Sequence, residues 1–307
     1  MGGYVIRRVL QIVPVVIGAT FLIFALVFAI PGDPIRALAG DRPMSPSTVA
    51  ALRDEYNLDD PLVVQYVKYM ADLAQGDFGQ DYNGREVTSI MAQRFPVTIN
   101  LALVALTFEI IIGLLAGVVA ALRRRSFLDT LVLMTTTAIV SIPTFVLGFT
   151  LQLLLGVELG WFPVAGVSQG LHSYLLPGFV LGALSLAYVA RLTRTSLVEN
   201  LRSDYIRTAT AKGLSRPRVV GRHAWRISLI PVVTYLGIDL GALMGGAIVT
   251  EGIFNLPGVG QQVFMSVRAQ EGPVVVGIVT ALVLVFILAN LVVDLLYGVL
   301  DPRIRYE

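Results

Sequence analysis

The chain has 307 residues, of which 55% are hydrophobic and 14% charged; its formal net charge is +2 and it contains no cysteine. That composition is too apolar for a soluble domain, and it excludes disulfides, a thiol nucleophile and cysteine-based metal sites. Roughly 20 apolar helical residues cross the hydrocarbon layer of a bilayer, so runs of that length are the natural units of this sequence.

Six such runs occur, over residues 9–30, 97–122, 130–155, 174–192, 227–250 and 274–300. The first follows Arg7 and Arg8 as a secretory leader would. Its 22 residues exceed a leader's apolar core, however, and they run into "IPGDP" without a small-x-small cleavage site. It is a retained span. The insert that follows, residues 31–95, carries helix signals of its own. Ser45 as N-cap, Pro46 at the first helical position and Asn57 as a stop predict one helix, and Asp60, Pro61 and Gly76 bracket a second. Leu62, Tyr66, Val67, Met70 and Leu73 form an apolar stripe on the second. Two helices lying on the membrane-proximal surface are expected, a place where an external partner also has room to dock.

Within the later spans, Glu109, Asp239 and Asp294 are acids at membrane depth, where a carboxylate is costly and faces protein or water. Gly237, Gly241 and Gly245 fall four apart on the fifth span, a spacing that lets another helix approach closely. Asp239 lies about 200° around the helix from Gly237. If the glycines pack on a neighbouring helix, Asp239 faces a cavity; the alternative is a buried pair with an arginine.

Short cytoplasmic loops carry the excess of Lys and Arg. With the N-terminus inside, 16 of the 23 basic residues are cytoplasmic: Arg7, Arg8, Arg123, Arg124, Arg125, nine between Arg191 and Arg226, and Arg303 and Arg305. Both termini are then cytoplasmic. The fold class is all-α: a polytopic membrane protein with a first span (1–30), an extracytoplasmic helical insert (31–95) and a five-span core (96–307) whose cytoplasmic loop covers 199–226.

That loop contains "YIRTATAKGLSRPRVVGRHAWR", residues 205–226, with six basic side chains and no acid. Asp204 as cap predicts a helix over residues 205–212, Gly213 suits the left-handed position that ends it, and Ser215 with Pro217 starts another. A DNA-reading helix pair is excluded by position, since spans begin within a few residues on either side. Anionic lipid head groups explain the charge but not the glycine-broken geometry. No G-x-x-x-x-G-K-[ST] phosphate loop surrounds Lys68 or Lys212, the only lysines, so the chain has no ATPase site of its own and is not an enzyme. His172 and His223 stand in opposite loops, and no metal site or catalytic triad is assembled from them.

Arg207-Thr208-Ala209-x-x-x-Gly213 resembles the Glu-Ala-Ala-x-x-x-Gly loop of type I ATP-binding-cassette importer permeases, with Arg207 and Thr208 in place of Glu and Ala as in the peptide and nickel branch. "PGDP" at 31–34, "SIPTFVLG" at 141–148, "EGIFNLPGVGQ" at 251–261 and "DLLYGVLDPRIR" at 294–305 resemble the same branch, in order along the chain. The resemblance implies a permease importing dipeptides or oligopeptides, or alternatively nickel or another small solute. It implies that Tyr205, Arg207, Thr208, Ala209, Lys212, Gly213, Leu214 and Ser215 form the helix that contacts the ATPase, and that the segment with Glu251 and Phe254 dips toward the pathway, to which Asp239 also belongs. The partners implied are a second homologous permease chain, two ATP-binding subunits that hold the ATP and Mg, an extracytoplasmic substrate-binding protein and membrane lipid. An ion-coupled secondary transporter is the competing class, loosely supported by Pro143 and Asp239.

Because the chain lacks cysteine, single cysteines at Gln75, Ser126, Gln169 and Ser215 report topology. An impermeant thiol reagent is expected to label Gln75 and Gln169 positions in intact cells, and the Ser126 and Ser215 positions only after permeabilisation. Labelling at 215 in intact cells would refute the orientation.

Overall fold

The structure, a computed structural model, describes residues 2–28 and 45–300. The stretches 31–34 and 301–305 of the quoted motifs lie outside the described residues, as does the side chain of Asp294. Eleven helices occur among the described residues: α1 (Gly2–Phe28), α2 (Pro46–Glu55), α3 (Leu62–Ala74), α4 (Val87–Leu122), α5 (Phe127–Ser141), α6 (Thr144–Glu158), α7 (His172–Asn200), α8 (Asp204–Ala211), α9 (Arg216–Ile253), α10 (Val259–Arg268) and α11 (Gly272–Leu300). α1, α4, α7, α9 and α11 are each long and apolar enough to cross a bilayer. The third expected span is not one straight helix. It is α5 and α6, bent by 102°. The cause is local: Pro143 has no N–H to continue a helix and pushes Ile142 into extended conformation, φ −96° and ψ 125°. The chain forms two compact units, Met1–Thr98 with Pro257–Glu307, and Ile99–Leu256.

In the first unit, the insert helices appear where the caps predict them. The Ser45 hydroxyl accepts the Thr48 N–H at 3.1 Å, and Asn57 ends α2 at φ 52°. Asp60 does not cap α3; Pro61 occupies that position, and Asp60 instead binds Lys68 at 2.7 Å. The buried stripe of α3 is Leu62, Tyr66, Tyr69 and Met70, packed with Phe24 of α1 and Val276 of α11, while Val67 is exposed. Tyr66 wins this position because its hydroxyl reaches into α1, lying 2.9 Å from Thr20 Oγ1 and donating to the Ile17 carbonyl at 2.9 Å. Burial pushes the Tyr69 phenol up to about 12. α4 begins ten residues before the expected run at 97 and carries Pro96 inside it. Val87, Ile90 and Met91 are all buried, an i, i+3, i+4 face that extends the helix ahead of the proline.

The second unit is organised around α7, the most buried span. Its interior face is rich in Ala183, Ala187 and Ala190, so other helices pass close to its backbone. At Gly117 of α4 an added Cβ would stand 2.6 Å from both the Ala190 carbonyl oxygen and Thr193 Cβ. Gln152 of α6 donates to the carbonyls of Val164 at 2.8 Å and Ile253 at 3.0 Å, which fastens the end of α9. Gly117→Val is expected to destabilise the chain by about 1–3 kcal/mol through overpacking, read as a lower melting temperature in detergent. Gly221→Ala, with no atom within 4 Å of the added Cβ, serves as the neutral comparison.

Candidate functional site

The loop at residues 199–226 is built on α8. The helix starts one residue earlier than expected: Ser203 takes the cap position with extended backbone, and Asp204 is the first helical residue. The Ser203 hydroxyl donates backward to the Asn200 carbonyl at 2.6 Å instead of capping α8. The end of the helix is as the glycine implies. Gly213 sits at φ 79°, its N–H bonds to the Thr210 carbonyl at 2.9 Å, and the Leu214 N–H bonds to the Ala209 carbonyl at 3.3 Å. This is the paired 5→2 and 6→1 closure that only a residue free to adopt positive φ makes without strain. Leu214 then folds back onto the same apolar cluster as Ala209.

That cluster is the seat of α8. Ile206 and Ala209 are buried against Ala121 of α4, Leu197 of α7 and Val219 and Ala224 of α9. A cavity of about 400 Å³ adjoins it, lined in part by Ala121, Thr210, Leu214 and Arg216. The opposite face is exposed and carries Arg207, Thr208, Ala211 and Lys212. Tyr205 is 38% exposed and donates to Asn200 Oδ1 at 2.8 Å; Thr208 donates to the Asp204 carbonyl at 3.0 Å. Arg207 pairs with Asp204 at 3.0 Å in full solvent, a contact that holds the guanidinium only weakly. Ser215 starts α9, and the expected second short helix continues instead through a π-helical stretch at Val219–Ala224 into the span.

Beside this seat is a partly buried ion pair that no motif in the sequence marks. Arg194 of α7 donates from Nε to Asp129 Oδ1 at 2.5 Å and from Nη2 to Oδ2 at 2.9 Å, and the Arg125 N–H reaches the same Oδ2 at 2.8 Å. The two residues are 65 apart in sequence, so nothing local announces them.

Asp239 is buried within the second unit, as is Gly241, while Gly245 has no atom within 4 Å of an added Cβ. Ser185 of α7 donates to Asp239 Oδ1 at 3.1 Å. The Asp239 carboxyl faces Glu109, which is fully buried and begins a π-helical turn, Glu109–Gly113. Both Glu109 oxygens and Asp239 Oδ2 lack a hydrogen bond of ordinary length, and among the described residues no arginine pairs with either acid. Gly182 leaves the room for Glu109, since a Cβ there would stand 3.2 Å from Oε1. The widened turn aims Glu109 inward, a feature no side-chain pattern encodes. Glu251 and Phe254 are fully buried where α9 ends, and the Phe254 carbonyl accepts the Gly166 N–H at 3.0 Å.

Residues 113–306 match the family described as binding-protein-dependent transport system inner membrane component, and residues 1–102 match the N-terminal region of that system's membrane component. The sequence is 40% identical to the di/tripeptide transport system permease protein DppB of Pseudomonas aeruginosa (strain UCBPP-PA14), with 100% of both chains covered. It is 40% identical to the glutathione transport system permease protein GsiC of Escherichia coli (strain K12), again over 100% of both. In fold it is similar to a chain of the MetNI methionine ABC transporter in an inward-facing conformation, at a TM-score of 0.60 and 18% identity, covering 70% of this chain and 97% of that one.

Glu109→Gln is expected to melt close to the parent chain in detergent, because the amide keeps the volume and supplies a donor to Asp239 Oδ2. Glu109→Ala opens a cavity and is expected to lose on the order of 2 kcal/mol. Equal stability of the two variants would mean that the paired carboxyls contribute nothing to packing.

Proposed function

The chain belongs to the family of binding-protein-dependent transport system inner membrane components, and we propose that it is the permease subunit of an ATP-driven importer that carries short peptides into the cytoplasm. Similarity along the whole chain to permeases named for di/tripeptides and glutathione supports the substrate class. The chain works beside a second permease chain, with two ATP-binding subunits that hold the ATP and Mg and an external protein that delivers the peptide.

One observation carries the mechanism: α8 buries one face on α4, α7 and α9 and leaves a cationic face exposed. A helix so placed is rigid toward the membrane and open toward a protein. Its weakly held Arg207 is available to acidic groups of an ATPase groove, while the neighbouring basic residues meet anionic lipid. Since α7, α8 and α9 follow one another directly, a push on α8 reaches two spans at once. A pathway role for Asp239, Glu251 and Phe254 requires α9 to move within the second unit during transport, because all three are closed off in this structure.

Gly213→Val replaces the left-handed stop with a side chain that disfavours it by about 1–2 kcal/mol, and Arg207→Glu reverses the exposed charge. Both are expected to leave the chain in the membrane while less ATPase subunit copurifies and peptide uptake falls. Full uptake by the chain carrying both changes would assign the charge to lipid alone.

A further inference from the structure

We propose that Asp129 and Arg194 are positioning residues for energy coupling: their ion pair ties the α4–α5 turn to α7 and holds the two walls of the α8 seat in register. This rests on the reading of α8 as the ATPase contact.

The seat has one wall from α4, through Ala121 in its last turn, and one from α7, through Leu197. Directly after Ala121 the chain turns through residues 123–126, where Arg125 takes a left-handed φ of 63°. A non-glycine residue holds such a backbone only where its surroundings over-determine it. Asp129 supplies that restraint by accepting the Arg125 N–H at 2.8 Å, and the same carboxylate receives the fork of Arg194. Arg194 and Leu197 are three residues apart, on one face of α7. The pair is sheltered, with 4% of the Asp129 side chain and 20% of that of Arg194 exposed. Such a bidentate contact fixes angle as well as distance.

Beyond the clamp, α5 runs as one helix to the 102° break at Pro143. A displacement of α8 therefore arrives at a turn that cannot yield, and α5 transfers it to the break. Without the clamp the turn at 123–126 absorbs the movement, and ATP hydrolysis continues while peptide import falls behind it. Any sheltered acid–base pair between two helices would stabilise the fold; this pair is placed so that its loss separates hydrolysis from transport.

The test uses the complete complex in proteoliposomes, with both permease chains, the ATPase subunits and the binding protein, and with dialanine and glutathione as probes. The readout is peptide imported per ATP hydrolysed. Asp129→Asn keeps the shape and an acceptor for the Arg125 N–H but removes the charge, and is expected to lower the ratio about fivefold or more, the scale of ordinary coupling between sites, with ATPase subunits still copurifying. Arg194→Lys keeps the charge without the fork and is expected to fall between; it decides the matter by the same ratio if Asp129→Asn does not assemble. Asp129→Glu combined with Arg194→Lys restores the reach and is expected to recover part of the loss. An unchanged ratio in every assembled variant, with only the yield of complex reduced, would overturn the proposal and leave the pair as a structural contact. Failure of the α8 reading is distinguishable: the Arg207→Glu chain would then retain ATPase subunits as the parent chain does.

Discussion

An eight-residue helix does not stand alone in water, where helices shorter than about 12–15 residues are marginal. α8 has eight, Asp204–Ala211, and its existence depends on burying Ile206, Ala209 and Leu214 against Ala121, Leu197, Val219 and Ala224. Full burial of one aliphatic side chain of this size stabilises by about 1.5–3 kcal/mol, which outweighs the closure of a loop at Gly213 and the unused cap at Ser203. Everything the loop presents outward follows from that choice of inward face. With Ile206 and Ala209 inside, helical geometry places Arg207, Thr208 and Lys212 outside, and the charge is displayed to solvent, with Arg207 held only by an exposed contact to Asp204.

The seat is only as firm as the spans that form it. In a bilayer no hydrophobic gain drives one helix onto another, so close packing and polar contacts must do so. The second unit uses both around α7. Small residues admit α4 to within contact of the backbone at Ala190, and polar links occur at Ser185 to Asp239 and at Arg194 to Asp129. These two polar links differ in kind. Asp129 is matched by a cation and lies beside the turn at 123–126, whereas Asp239 meets another acid at Glu109 deep in the unit. The first suits a fixed joint. The second costs free energy where it stands, and an arrangement that is costly at rest is one that an opening of α9 from α7 would relieve.

Much of the fold was legible because its signals are local. Runs of apolar residues marked the spans, Ser45 and Asn57 bounded α2, and Gly213 marked the end of α8. The features that escaped depend on residues far apart in the chain. The apolar run 130–155 continues through Pro143, which stops the helix locally without itself fixing the 102° angle between the two pieces. The inward face of α3 turned on the Tyr66 hydroxyl reaching Thr20, 46 residues away, which displaced Val67 from the stripe. The π-helical turn Glu109–Gly113 in α4 sets the facing of Glu109, and its approach to Asp239 of α9 joins residues 130 apart in the chain. Asp129 lies one residue outside the apolar run 130–155 and belongs to no motif, and its partner Arg194 is one of nine basic residues between 191 and 226.

Site-specific photo-crosslinking along α8 in the assembled complex tests the inward and outward assignment and its purpose together. A photoreactive residue at Thr208, Ala211 or Lys212, all exposed, is predicted to crosslink to the ATPase subunit. At Ile206 or Ala209, both buried, it is predicted to crosslink within the permease chain. Crosslinks from the exposed positions to lipid alone, or ATPase crosslinks from Ile206 as strong as those from Thr208, would contradict the view of α8 as a seated helix that meets the ATPase with its cationic face.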